Sequence, residues 1–281
     1  NQWGFVDFNR PMVAINQWEQ AEDSMYTLCG KDRIHPSTDG HLVMAYLFLK
    51  AQGLAGKPVA DIRIDGAGKK VTRSDNCRVS DLSVSSDNLT FTYEAKSLPY
   101  PIDTSYYDNE KHTQADALSV IPFMDEMNYE GLSVSGLSDG YYGLTIGGEF
   151  IGRFTARELE RGINMALLQN TPQYKQAMKI RQMNEERWLK ERKMREFYWV
   201  EYNLMRKTGM LWACNEAAVD TLRKYRPHDI FLQWNGDLWL QYMHKGIRED
   251  CVNEQQDLVN RIYEQNKPIP LRIEIKKFTD L

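Results

Sequence analysis

Apolar and polar positions along the chain fall into three successive textures. The first begins with the aromatic and β-branched run Trp3-Gly4-Phe5-Val6-Asp7-Phe8, which predicts the end of a buried strand and stops at Asn9-Arg10-Pro11. Met12, Val13, Ile15 and Trp18 then recur at helical spacing behind Pro11, so residues 11 to 22 predict an amphipathic helix. A turn-forming loop from Gly30 to Gly40 leads into a second, strongly apolar helix over His41 to Gln52, closed by Gly53. Strand, helix, loop and helix in succession fit the last part of an α/β domain covered on both faces.

From about Val59 to Phe154 the pattern shortens to alternating runs such as Ala60-Asp61-Ile62-Arg63-Ile64 and Leu89-Thr90-Phe91-Thr92-Tyr93. Alternation with frequent turns predicts an antiparallel, sandwich-like module with one polar face. Asp139-Gly140 and Gly147-Gly148 are its best hairpin turns, and Tyr100 to Met127 interrupts it as a long loop carrying a short helix. Thr155-Ala156-Arg157-Glu158 is a capping box that opens a helix to about residue 168. Thr171-Pro172 starts another that runs without Gly or Pro to Gly209. Further helices are predicted over 210 to 225 and 237 to 265, with Leu271-Arg272-Ile273-Glu274-Ile275 as a closing strand. The predicted division is therefore 1–56, 57–154 and 155–281.

Charge sharpens this division: residues 1–154 carry 13 basic and 21 acidic side chains, and residues 155–281 carry 22 and 18. The total of −4 gives no global basic field to attract nucleic acid or an acidic membrane surface. The longest apolar run, the eight residues Leu42 to Leu49, falls far short of the roughly 20 needed to span a bilayer. Cys29, Cys77, Cys214 and Cys251 include no Cys-x-x-Cys pair, so no zinc or dithiol motif is present. The stretch 172 to 207 holds ten basic and five acidic residues with Trp188, Phe197, Tyr198, Trp199 and Tyr202 among them. Glu185, Glu186, Glu191 and Glu196 at pairing distance favour a solvated charged face with a buried aromatic stripe over a nucleic-acid surface. Trp234 and Trp239 fit core packing better than a sugar-stacking platform.

The chemistry concentrates in Asp32-Arg33-Ile34-His35-Pro36, followed by Gly40-His41. An Asp three residues before a His on one tight loop can accept from the imidazole Nδ1, which leaves Nε2 free to take a proton from a nucleophile. Pro36 keeps His35 extended and out of the following helix. The whole stretch from Gly30 to Tyr46 resembles the last conserved block of the SGNH, or GDSL-like, esterase and lipase family. That resemblance implies His35 as general base, Asp32 as its orienting partner, and Gly40 and His41 as structural positions. It implies no cofactor and no metal, and an α/β fold: the C-terminal part of a flavodoxin-like three-layer hydrolase domain, followed by the sandwich-like module and an α-helical extension.

The family's nucleophile is a Ser in a Gly-Asp-Ser-like block, and its oxyanion hole adds a Gly and an Asn, all upstream of Asp-x-x-His. No such block occurs in this sequence, so nucleophile and oxyanion hole are both absent from the chain. The sequence is expected to be the C-terminal portion of a secreted or periplasmic bacterial ester hydrolase, inactive alone. The substrate that the family implies is a small acyl ester, with acetylated carbohydrate preferred. Two alternatives stay open: a non-catalytic carbohydrate- or protein-binding module, and a metal site built from Asp32, His35, Asp39 and His41. His112, His228 and His244 read as isolated residues.

Overall fold

The structure, a computed structural model, describes residues 4–105 and 112–278. Residues 4–8 form no strand: none of the described strands lies beside them, and Phe5 is 85% exposed. A strand needs a hydrogen-bonding neighbour, and local sequence alone does not provide one. Trp3 lies outside the described residues. Helix α1 (Asn9–Glu19) starts two residues before the predicted point, with the Arg10 amide donating to Asp7 Oδ1 at 3.2 Å. Pro11 then occupies the first turn, where no intrahelical donor is needed. Helix α2 (Thr38–Ala51) begins three residues earlier than the predicted His41.

Leu42, Val43 and Tyr46 of α2 are buried against Ile102, Ala117, Ile121 and Phe123. The predicted interruption from Tyr100 to Met127 is therefore the cover of α2, apart from residues 106–111, which lie outside the description. Its described residues include a 3-10 helix, Gln114–Ser119, and helix α3 (Phe123–Glu126). Glu126 fastens the pair, accepting from Tyr46 Oη at 2.7 Å and Lys50 Nζ at 2.8 Å.

Two open sheets follow. Strands β1 (Ala60–Asp65), β2 (Lys70–Asp75), β3 (Cys77–Val84), β4 (Asn88–Ala95), β5 (Glu130–Ser135), β6 (Tyr141–Ile146), β7 (Glu149–Thr155), β8 (Ile163–Asn164) and β9 (Leu271–Lys277) assemble in the orders β2-β1-β5-β8 and β3-β4-β9-β6-β7. Their apolar faces share one core, with Ile62, Ile64, Leu132 and Val134 from the first sheet and Phe91, Leu144, Ile146, Ile273 and Ile275 from the second. Each such side chain stabilises the fold by about 1.5–3 kcal/mol when fully buried.

The sandwich-like expectation needs two corrections. β1 and β5 pair in parallel, Ile62 opposite Leu132, because the 100–127 segment provides the long crossover that a parallel pair requires. Asp139-Gly140 turns no hairpin, since β5 and β6 belong to different sheets; it is a corner between them. Gly147-Gly148 does turn the β6–β7 hairpin, with φ of +59° and +86°, a left-handed pair suited to glycine.

The Thr155–Glu158 capping box forms as predicted, the Glu158 amide donating to Thr155 Oγ1 at 3.1 Å and the Thr155 amide to Glu158 Oε2 at 2.7 Å. Its helix α4 (Ala156–Arg161) stops at Gly162, well before residue 168, because Ile163 and Asn164 are recruited into β8. Helix α5 (Pro172–Val200) continues through a π-type turn, Glu201–Met205, and ends there, four residues short of the predicted Gly209, with residues 206–209 forming a turn. Helices α6 (Glu216–Tyr225), α7 (Ile230–Tyr242) and α8 (Lys245–Gln265) follow, so the predicted helix over 237 to 265 is two, broken at the extended His244. No described helix is long and apolar enough to cross a membrane.

The chain divides into two compact units, residues 1–177 with 267–281 and residues 178–266. The strand predicted to close the helical part belongs to the first unit, where β9 lies between β4 and β6. The helical unit has its own core of Phe197, Val200, Leu222, Leu232 and Trp239. At its π-type turn the buried Glu201 accepts from Trp239 Nε1 and from the Trp212 amide, each at 2.8 Å.

Candidate active site

The loop from Leu28 to Gly40 is a short antiparallel ribbon. Cys29 bridges Pro36, the Gly30 amide donates to the His35 carbonyl at 2.8 Å, and the Ser37 amide donates to the Leu28 carbonyl at 3.0 Å. Between these rungs Arg33 takes a left-handed φ of +56°, and its amide donates to the Gly30 carbonyl at 2.9 Å. That reversal brings the Asp32 and His35 side chains together. Helix α1 supports the ribbon from below, with Asn16 Oδ1 accepting from the Leu28 amide at 2.9 Å.

Asp32 accepts three bonds in one place. Oδ2 stands 2.5 Å from His35 Nδ1, and Oδ1 takes the Ile34 amide at 2.9 Å and the His35 amide at 3.1 Å. These donors, the His35 imidazole foremost, hold the Asp32 carboxyl down at about 2, so it is ionised at neutral pH. A carboxylate on Nδ1 fixes the proton there and leaves Nε2 as the basic nitrogen. The predicted base and orienter are thus in contact. The His35 side chain is 83% exposed, and its neighbour Ile34 is 74% exposed. Trp18 and Met25 are likewise largely exposed.

The metal alternative is not what the loop builds. Asp39 is fully buried, accepts from the Ser37 hydroxyl and, at 2.8 Å, from the Gly40 amide, and so ties the ribbon to the start of α2. His41 lies on the exposed side of α2. Among the described residues no group of three or more His, Cys, Asp and Glu is placed to hold a metal ion. Gly40 is dictated by packing, since a Cβ there would lie 2.0 Å from the Leu28 carbonyl oxygen.

Two of the histidines read as isolated are not. His112 Nδ1 stands 3.2 Å from Asp39 Oδ2, and its ring packs edge-on against Tyr26, whose hydroxyl is pushed up to about 12 by burial and then by Asp39. His244 Nδ1 lies 3.3 Å from Cys214 Sγ. Both contacts join residues at least 30 positions apart, so no local pattern announces them. The aromatic expectations for the helical unit hold only in part. Trp239 and Phe197 are buried, but Trp188, Tyr198, Tyr202 and Trp234 are exposed. The expected ion pairs along α5 are present, Arg187 with Glu191 and Arg192 with Glu196.

Residues 178–267 match the family model described as the diltiazem deacetylase C-terminal helical domain, nearly the same span as the compact helical unit. The whole chain is similar to a solved structure described as BT4096, a gut microbial diltiazem-metabolizing enzyme. Identity is 42% and the TM-score 0.92, over 98% of this chain and 62% of that one. The chain is a homologue of that enzyme. It spans 62% of that relative's length, and its mixed α/β fold with two open sheets and a helical region is the fold of the matched part. No curated protein matches.

Proposed function

We propose that Asp32 and His35 are the orienter and general base of an SGNH-type ester hydrolase, whose nucleophilic Ser and oxyanion donors come from a segment other than these 281 residues. The observation that carries this reading is the 2.5 Å contact between Asp32 Oδ2 and His35 Nδ1 on a loop that leaves Nε2 facing outward from an exposed ring. It is supported by the relative's description as a diltiazem-metabolizing enzyme and by the deacetylase family matched over the helical unit.

In this mechanism the Ser oxygen attacks the ester carbonyl as its proton passes to His35 Nε2. Asp32 stabilises the imidazolium through Nδ1–H. The imidazolium then protonates the departing alcohol, leaving an acyl-enzyme. Water, deprotonated by the same nitrogen, releases the acid and restores the Ser. A small acyl group such as acetyl is the proposed leaving acid, carried on a carbohydrate alcohol in a secreted or periplasmic setting.

The test is hydrolysis of p-nitrophenyl acetate by the protein carrying its complete natural sequence. His35→Ala should lower kcat/KM by about 10⁴-fold, and Asp32→Asn by a similar factor. A rate within tenfold of the parent in His35→Ala would sink the assignment.

A further inference from the structure

The helical unit carries a groove of about 340 Å³ between α5 and α7, lined by Trp188, Arg192, Arg195, Glu196, Trp199 and Asn235. The α5 residues 188, 192, 195 and 199 recur at helical spacing on one face, and Trp188 and Trp199 stand about 16 Å apart along the axis. Asn235 enters from α7, and Phe231, 5.2 Å from Trp199 between ring centroids, extends the aromatic surface beyond it. The lining contains no aliphatic side chain. A groove for a protein helix would present Leu, Ile, Val or Met to an apolar stripe. This one alternates flat aromatic faces with planar polar groups, the combination that receives a pyranose, whose C–H face stacks on a ring while its hydroxyls meet amide, guanidinium and carboxylate.

The charges in the groove are not balanced. Arg192 is held by Glu196 Oε1 at 2.7 Å. Arg195 stands over the Trp188 ring, 5.6 Å from its centroid, and among the described residues its one carboxylate neighbour is Glu191 at 3.9 Å, too far for a hydrogen bond. One guanidinium with unspent donors therefore lies over one face of Trp188, suited to a bidentate anion at the end of the aromatic surface. Asn235 likewise has no side-chain hydrogen bond to another described residue.

We propose that this groove binds an oligosaccharide carrying carboxylate or sulfate groups, stacked on Trp188 and Trp199 with an acidic substituent on Arg195. The site is independent of the ester-hydrolase reading, because none of its residues belongs to the loop of Asp32 and His35.

Calorimetric titration of the 281-residue chain at low salt tests it, with trigalacturonate, a heparin-derived tetrasaccharide and neutral maltotriose as probes. At least one acidic probe should bind at least tenfold more tightly than maltotriose and lose affinity as salt is raised. Trp188→Ala and Arg195→Gln, both on exposed positions, should each weaken that binding at least tenfold with an unchanged helical circular dichroism spectrum. Tyr263→Ala, on the exposed surface of α8, and His35→Ala should leave it unaltered. Failure of both acidic probes to bind, equal affinity for maltotriose, or parental affinity in the folded Trp188 and Arg195 variants each overturns the proposal.

Discussion

Glu130 is a fully buried carboxyl with two neutral partners, Tyr93 Oη at 2.8 Å and Gln173 Nε2 at 3.2 Å. Burial raises it from its ordinary 4.5 to about 7, against the opposing effect of the two hydrogen bonds. Between those values the folded chain holds a proton that the unfolded chain releases. The folded state is therefore most favoured below pH 4.5 and loses this contribution as pH rises through about 7, by about 3 kcal/mol in all. Glu130→Gln keeps the shape and removes the titration. Urea unfolding at pH 5 and pH 8 should show the variant gaining stability relative to the parent at the higher pH. Asp32 shows the opposite case at the surface, where donors hold an exposed carboxyl ionised. Of these two groups the sequence marks only Asp32, because its partners lie within three residues, whereas the partners of Glu130 come from β4 and α5.

Among the elements, the ribbon from Leu28 to Gly40 decides whether Asp32 meets His35. Its geometry depends on the closeness of α2 to the Leu28 carbonyl, and Gly40 is the residue that permits it. Gly40→Ala puts a methyl group against backbone, where no side chain can yield. The expected cost is about 2 kcal/mol or more in chemical denaturation. The contact of Asp32 with His35 should loosen with it, seen as a rise of the Asp32 carboxyl from about 2 in a carboxyl-carbon NMR titration. This element was largely readable beforehand: the Asp-x-x-His-Pro spacing, the turn residues and the apolar face of α2 all lie within one short stretch. The early stop of α4 was not readable, because Ile163 and Asn164 leave the helix to pair with Gly131 and Leu132, a contact set by the sheet.

On the scale of the whole molecule, the first compact unit is built from two separated stretches of chain, and the helical unit departs from and returns to neighbouring points. Gln176 Nε2 donates to the Lys267 carbonyl at 2.8 Å, so the two ends of residues 178–266 are already side by side. Replacing that span by a short Gly-Ser linker should leave a protein that unfolds cooperatively on heating and keeps the Asp32 titration at about 2. Loss of the cooperative transition would mean that the first unit needs the helices in order to fold.

The sequence by itself determined what short-range forces control: the Thr155–Glu158 cap, the Gly147-Gly148 turn, the long run of α5, the alternation of β9, and the meeting of Asp32 with His35. Each depends on residues a few positions apart, where propensity and hydrogen-bond reach suffice. Only the tertiary structure decided what depends on distant partners. It placed β9 between β4 and β6, ran β1 parallel to β5, brought His112 to Asp39, and divided the tryptophans into the buried Trp239 and the exposed Trp188 and Trp234. Burial and pairing are properties of the assembled fold, and a local pattern shows which residues can be buried or paired but not which neighbours do it.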